Sequence, residues 1–364
     1  MENNNINVEN VVVTQPADEN AKNATIVKEA KKLFSNLGFR MLIATAILYA
    51  VCYGLQYVGE LLLDKFNPAL LEKIYTDYTV NLVYSMGIQY AFAMPLMALV
   101  IAVKCPAKAP EKRRIGFGWW LAFFVMAYSL MYSSNLLGTA LNSLISGIFG
   151  FNISTYSVQT IIQNANIWVV TICTVIFAPL VEELIFRKLL IDRCGRYGEA
   201  ASALLSGITF GLFHGNLTQG IYAFCLGYFL ALIYSKSGKI RATIGIHMVI
   251  NFMGSFIPMT ILKLIDIDEL LAIESEGIEA MTEYVMSHMT GILVLGLYGM
   301  LIMALVIAGM ILMIVNRRKI FPRRGEIALP KHTTFSVVMG NPGMILFVVA
   351  SVGYIVYTFI RGLI

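Results

Sequence analysis

The sequence predicts an all-α protein, a polytopic bundle of about eight or nine transmembrane helices. Of the 364 residues, 58% are hydrophobic and only 13% are charged, and the mean hydropathy is +0.72. Soluble domains carry about 25% charged residues, and a helix that crosses a bilayer needs about 20 consecutive, mostly apolar residues. The composition therefore predicts a multi-pass protein of the cell membrane.

Several apolar stretches reach or approach this length, and each is expected to form a helix. They lie at 39–63, 81–103, 117–138, 167–190, 200–213, 220–234, 243–257, 290–315 and 344–360. The three between residues 200 and 257 are short. Short helices fit at membrane depth where neighbouring helices enclose their backbone, because lipid offers no hydrogen bonds.

These stretches and the polar regions between them divide the chain into five segments. We expect a disordered or surface-associated cytoplasmic tail (1–35), N-terminal transmembrane helices (36–165), a core that carries the chemistry (166–258), an acidic extracytoplasmic loop (259–289), and C-terminal transmembrane helices with a basic linker (290–364). Within the acidic loop, a solvated loop is favoured over an amphipathic surface helix.

The charge pattern predicts the orientation. Basic residues follow alternate apolar stretches and fall at 104–114, 187–196, 236–241 and 317–324. The intervening loops are neutral or acidic, so the positive-inside rule places the basic loops and the amino terminus in the cytoplasm. These blocks also account for the net charge of +5, so the expected partner is the lipid bilayer and no nucleic acid.

Two adjacent acids lie within the fourth apolar stretch, at the end of its uncharged run 167–180. Glu182 and Glu183 are followed by Arg187, and an ionisable group inside a membrane segment is by default a candidate functional site with a partner to be found. Glu183 and Arg187 have the i,i+4 spacing of a helical ion pair, whereas Glu182 points about 100° away. The unpaired Glu182 is therefore the better candidate for a general base.

Two later stretches supply candidate partners. Phe210 and His214 are one helical turn apart, as are His247 and Asn251, so each pair shares a helix face. A helix-capping role for His214 and an interhelical hydrogen bond for the second pair are the ordinary alternatives. Three such motifs in one block of the chain make a common site the better interpretation.

This set of residues suits the attack of an activated water molecule on a carbonyl group. Glu182 with His214 would deprotonate the water, and His247 with Asn251 would donate hydrogen bonds to the developing oxyanion. The five cysteines are scattered, without a neighbouring base or a metal-binding spacing, so a thiol nucleophile is not expected.

The three motifs resemble those of the CAAX prenyl protease and bacteriocin-processing (Abi) family, whose pattern is EExxxR, then FxxxH, then HxxxN or HxxxD. The resemblance covers roughly residues 167–257. It implies an intramembrane endopeptidase of the glutamate type, acting on a membrane-associated peptide, a prenylated CAAX-type protein or a bacteriocin or leader substrate. It also implies Glu182, His214, His247 and Asn251 as catalytic residues, supported by Glu183, Arg187 and Phe210.

Two alternatives remain open at this point. No cofactor is expected, yet two histidines and two glutamates could hold zinc, which would activate the water instead. The second alternative is a non-catalytic membrane protein, either a bacteriocin self-immunity factor or a scaffold, which needs no general base.

Overall fold

The computed structural model describes residues 16–149, 164–273 and 277–361, and within them the chain forms helices and no strands. The helices in chain order are α1 (Pro16–Phe66), α2 (Pro68–Thr76), α3 (Tyr78–Ala102), α4 (Phe117–Phe149), α5 (Ile167–Tyr197), α6 (Glu199–Phe213), α7 (Leu217–Ser237), α8 (Ile240–Leu262), α9 (Ile267–Ile273), α10 (Ile278–Ser287), α11 (Met289–Val315), α12 (Arg317–Ile320), α13 (Thr334–Met339) and α14 (Pro342–Arg361).

The predicted fold class is confirmed. Seven of these helices (α1, α3, α4, α5, α7, α8 and α11) are long and apolar enough to cross a membrane, and α6 and α14 are shorter apolar helices. Eight of the nine predicted apolar stretches lie within one of these nine helices, and the stretch 81–103 extends one residue past the end of α3. The chain is therefore a multi-pass membrane protein with a helical bundle.

The disordered alternative for the amino-terminal tail does not hold from Pro16 onward, where the chain is helical, and the surface-associated alternative stays a prediction. Residues 1–15 lie outside the described part, but α1 is continuous for 51 residues from Pro16. Ala30 and Phe34 are fully buried, and the Phe34 ring lies 6.1 Å from that of Tyr197. The polar start of α1 is ordered because its apolar residues pack on the end of α5 and on α14.

The acidic loop is also corrected. Two short helices, α9 and α10, occupy most of the segment, and residues 274–276 lie outside the described part. Tyr284 is buried, its hydroxyl donates to the Asp266 carbonyl at 2.9 Å, and its ring stacks on His288 at 4.3 Å. This buried aromatic residue folds the segment into a helical cap rather than a solvated loop.

Three long helices contain a widened, π-helical turn immediately before a proline. The widened turns are Gln89–Ala93, Ile172–Phe177 and Phe252–Phe256, and Pro95, Pro179 and Pro258 follow them. A proline ring clashes with the carbonyl four residues earlier and offers no N–H. A wider turn relieves that clash without breaking the helix.

Each such turn leaves a carbonyl without a helical donor. In α5 the amide of Ala178 donates to Cys173, and the next residue, Pro179, has no N–H to give to Thr174. In α8 the amide of Ile257 donates to the carbonyl of Phe252. The next residue, Pro258, has no N–H, so the carbonyl of Met253 is left without a helical donor. Side chains from other helices donate to both carbonyls. The Asn251 amide donates to the Thr174 carbonyl at 2.9 Å, and the Tyr298 hydroxyl donates to the Met253 carbonyl.

Glycines bring α6 and α7 into direct backbone contact. A Cβ atom at Gly211 would lie 2.6 Å from the carbonyl oxygen of Gly220, and one at Gly207 would lie 3.0 Å from that of Phe224. Gly215 has a different role, since its φ of +68° makes the turn that follows His214. The small residues of α6 thus set how closely the His214 end of α6 approaches α7.

We expect Gly211→Ala to lower the free energy of unfolding by about 1–3 kcal/mol, because the added methyl group overlaps a backbone carbonyl. Gly299→Ala is the matched control: no atom lies within 4 Å of a Cβ at that position, and alanine is the better helix former. Thermal unfolding of the detergent-solubilised protein measures both. Equal midpoints for the two variants would contradict the close contact of α6 and α7.

Candidate active site

The motif residues come from the middle of the bundle. The widened turn Glu183–Leu189 of α5 carries Glu183 and Arg187, Glu182 ends the α-helical turn before it, α6 carries Phe210, and α8 carries His247 and Asn251. His214 follows the last residue of α6. Residues nearly seventy positions apart in the chain therefore meet in one region.

Glu183 lies between a cation and an imidazole. Its Oε1 atom is 3.2 Å from Nη2 of Arg187 and 3.0 Å from Nδ1 of His247. Glu183 and Arg187 are both 0% exposed, so neither charge has water to stabilise it. The predicted Glu183–Arg187 pair is confirmed, and its contact with His247 is a feature that the spacing did not indicate.

Arg187 is held mainly by the ring of Phe210 and by the charge of Glu183. Its Cζ atom lies 4.2 Å from the centre of the Phe210 ring, a cation–π contact that desolvation strengthens. Its Nε, Nη1 and Nη2 atoms have no hydrogen-bond partner, and neither does Oε2 of Glu183. Loss of either residue would therefore leave an uncompensated charge in the bundle.

Glu182 lies beside His247. The distance between its Oε2 atom and Nε2 of His247 is 3.8 Å, and both side chains are nearly buried, at 8% and 3% exposure. His247 thus has Glu183 at one nitrogen and Glu182 at the other.

Phe210 connects the two histidines. Its ring meets the His214 ring edge-on at 4.8 Å and the His247 ring edge-on at 5.8 Å. The prediction that Phe210 and His214 share a face is confirmed. In the described part of the chain Glu182 and His214 form no ion pair, so His214 reaches the cluster through Phe210 while Glu182 contacts His247 directly.

The hydrogen bond of His214 indicates which ring nitrogen carries the proton. Nδ1 lies 2.8 Å from the carbonyl oxygen of Phe210, and a carbonyl can only accept. Nδ1 of the neutral ring is therefore the donor, and Nε2 keeps its lone pair. This tautomer makes His214 a proton acceptor at Nε2.

Asn251 lies on the same helix face as His247, one turn later, as predicted. One N–H of its amide donates to the Thr174 carbonyl that Pro179 leaves free, at 2.9 Å. Ser255 supports the same contact. Its hydroxyl donates to the backbone carbonyl of Asn251 at 2.7 Å, and it lies 3.5 Å from the hydroxyl of Thr174. Asn251 therefore joins α8 to α5, and the second N–H of its amide remains for another acceptor.

A structural or catalytic zinc site needs three or four protein ligands around one point. Among residues 16–149, 164–273 and 277–361 no group of three His, Cys, Asp or Glu side chains is arranged to hold a metal ion. The Nδ1 atoms of both site histidines are engaged by Phe210 and Glu183. The described residues thus contain no preformed set of three ligands for zinc, and the zinc-dependent alternative stays a prediction.

The Glu183–Arg187 pair gives a direct stability test. We expect Glu183→Gln and Arg187→Met each to lower the free energy of unfolding by about 3–5 kcal/mol, because each leaves one buried charge alone. The double variant should lose less than the sum of the two. A double-mutant cycle of thermal unfolding measures this coupling.

The control for this cycle is Arg113→Gln. Arg113 pairs with Glu111 at 3.0 Å, but the two side chains are 55% and 77% exposed, so the change should cost no more than about 1 kcal/mol. Strictly additive effects of Glu183→Gln and Arg187→Met would show that the two side chains do not interact.

The comparisons with known proteins point to one family. Residues 164–253 match the family model described as "Type II CAAX prenyl endopeptidase Rce1-like". The chain is also similar to the Bacillus subtilis (strain 168) protein named "Putative membrane peptidase YdiL", with 24% identity over 144 residues. That match covers 39% of this chain and 57% of the relative, so the chain spans little more than half of that protein. No solved structure matches this chain.

Proposed function

We propose that the chain is an intramembrane endopeptidase of the glutamate type, and the match of residues 164–253 to the Rce1-like family model supports this. The observation that carries the proposal is the nearly buried Glu182 carboxylate, 3.8 Å from Nε2 of His247. A general base and a potential proton donor are thereby placed together inside an apolar bundle.

In the proposed reaction Glu182 takes a proton from a water molecule. The water oxygen forms a bond to the scissile carbonyl carbon, and the electron pair of the C=O bond moves to its oxygen. The tetrahedral intermediate then collapses, the C–N bond breaks, and the leaving nitrogen takes the proton. The free lone pair on Nε2 of His214 supports a second acceptor role toward the same water.

His247 and Asn251 are proposed to stabilise the oxyanion. When the His247 ring is protonated on both nitrogens, it donates from Nδ1 to Glu183 and from Nε2 to the developing oxyanion. Asn251 contributes the amide N–H that is not bonded to Thr174. Donors fixed before the reaction stabilise the transition state without reorganisation, and the contacts to Glu183 and Thr174 provide that fixation.

The proposed substrate is a membrane-associated peptide or lipidated protein. A prenylated CAAX-type carboxyl terminus and a bacteriocin or its leader are the two candidates that the family resemblance implies. The basic loops support a cytoplasmic location for the amino terminus and for the α5 end that carries Arg187, since positive loops remain on that side.

We expect Glu182→Gln to lower kcat by at least about 10²-fold, because the amide cannot accept the proton of the attacking water. The assay follows cleavage of matched prenylated and unprenylated peptides by the purified full-length protein. Glu72→Gln is the control: Glu72 is an exposed carboxylate on α2, and the variant should cleave at the wild-type rate.

The same assay separates the alternatives. Loss of activity on chelation, with recovery on addition of zinc, would favour the metal-dependent mechanism. No cleavage by the wild-type protein, together with unchanged protection of cells from a bacteriocin in the Glu182→Gln strain, would favour a non-catalytic immunity role and contradict the proposed peptidase.

A catalytic role of Asn251 as an oxyanion donor can be distinguished from a structural role in the contact between α5 and α8. We expect Asn251→Ala to lower kcat by about 10²- to 10³-fold, the usual cost of one oxyanion donor, with little change in KM. Ser255→Ala is the matched control, since it disturbs the same α5–α8 contact but removes no amide donor. A similar fall in kcat for both variants would assign Asn251 to packing alone.

A further inference from the structure

A second polar site lies at the end of the bundle where the basic loops meet. It is a cavity of about 870 Å³ lined by residues from each of the four basic segments, among them Lys108, Arg196, Lys236 and Arg324. The prediction that these loops share one end of the bundle is thereby confirmed. Arg193, which also lines the cavity, follows Glu182 by three helical turns, about 16 Å along α5.

The walls of this cavity are ordered by ion pairs that use its carboxylates. Glu199 bonds to Lys236 at 2.7 Å and to Arg323 at 2.8 Å, and Glu326 pairs with Lys108. These bonds hold the linker after α12 against the start of α6, the end of α7 and the loop after α3. The Asp192 carboxylate is also paired. It forms an ion pair with Lys188 at 2.9 Å and accepts a hydrogen bond from the Tyr234 hydroxyl at 2.7 Å.

Positive charge remains after this pairing. Seven basic and four acidic residues line the cavity, and they are Lys108, Arg113, Arg193, Arg196, Lys236, Arg323 and Arg324 against Glu111, Asp192, Glu199 and Glu326. Within the part of the chain that the structure describes, Arg193, Arg196 and Arg324 have no carboxylate partner. Three arginines that line one cavity therefore have no carboxylate counter-charge.

Arg193 is the buried member of this set. Only 9% of the residue is exposed. Its Nη1 and Nη2 atoms donate to the carbonyls of Leu189 and Ala102 at 2.8 and 3.2 Å, which fixes the side chain in the cavity wall. Its Nε atom has no hydrogen-bond partner, and neither has the Ser235 hydroxyl on the same wall. Arg193 therefore contributes a fixed positive charge to the cavity wall, and the exposed side chains of Arg196 and Arg324 supply the donors that a ligand can reach.

We propose that this cavity binds a phosphate group, with the headgroup of an anionic phospholipid as its source. The planar guanidinium of arginine matches the geometry of phosphate oxygens and is more weakly hydrated than an ammonium group. The cavity lies at the ends of α5 and α7, where apolar helix gives way to basic loop, which is the depth of lipid headgroups. Basic pockets between transmembrane helices bind such headgroups.

This site is independent of the proposed peptidase chemistry, because none of its lining residues contacts Glu182 or His247. It would attach the loop after α3, the end of α5 and the linker before α13 to one lipid molecule. A bound headgroup stabilises the native protein over the unfolded chain and so raises the unfolding midpoint.

The test uses the full-length protein in detergent micelles, with the midpoint of thermal unfolding as the readout. Phosphatidylglycerol, phosphatidylcholine and inorganic phosphate are titrated separately at constant ionic strength. We expect a saturable rise with phosphatidylglycerol and none with phosphatidylcholine. Arg196→Gln and Arg324→Gln should each weaken the apparent affinity about tenfold, since each removes a charged hydrogen-bond donor.

Arg318→Gln is the matched control, because it removes the same charge from the exposed helix α12, outside the cavity. It should leave the affinity unchanged. A rise with inorganic phosphate as well, sensitive to the same two variants, would show that the phosphate group alone is recognised. No rise with phosphatidylglycerol, or equal weakening in Arg318→Gln, would overturn the proposal. Peptide cleavage is not part of this readout, so the two proposals fail or succeed separately.

Discussion

The carboxylate of Glu183 is the charge around which the middle of the bundle is organised. It is fully buried and lies within 3.2 Å of both Arg187 and His247. A buried charge of this kind is tolerated only when its partners are held in place. Arg187 packs on Phe210, and Phe210 in turn contacts both histidines. The position of every motif residue except Asn251 is therefore linked to the neutralisation of Glu183.

Asn251 is positioned by a different constraint, which begins with a proline. Pro179 cannot donate to the helix, the turn before it widens, and the Thr174 carbonyl becomes available to the Asn251 amide. The same sequence of causes in α8 makes the Met253 carbonyl available to Tyr298. A residue that breaks helical hydrogen bonding thus creates the contact by which two transmembrane helices recognise each other, and in α5 that contact lies two turns before the candidate base.

The two polar regions of the molecule differ in how their charges are balanced. In the middle of the bundle, two acids (Glu182 and Glu183) lie near one arginine and two histidines in apolar surroundings. This arrangement is suited to proton transfer. At the basic end the acids are consumed in ordering the loops, and arginines are left over, an arrangement suited to holding an anion. One helix, α5, runs through both regions, so a headgroup at its end would also help to fix the orientation of the helix that carries the candidate base.

Much of the fold could be predicted from the sequence, because helix formation in a bilayer depends mainly on apolar length. Eight of the nine predicted apolar stretches lie within one helix, the stretch 81–103 extends one residue past the end of α3, and the four basic segments lie at one end. The tail and the acidic segment are more ordered than their composition indicates, and the reason is common to both. Both are polar by composition, yet a few apolar side chains, such as Phe34 and Tyr284, find buried positions that only distant parts of the chain supply.

For the candidate site, the sequence by itself determined which residues share a helix face: Glu183 with Arg187, Phe210 with His214, and His247 with Asn251. These relations follow from helical periodicity, which is local. Only the tertiary structure decided that His247 bridges both glutamates, that Phe210 separates the histidines, and that Asn251 binds a backbone carbonyl. Those contacts depend on how closely helices approach and on where their hydrogen bonding is interrupted, and no spacing within one helix specifies them.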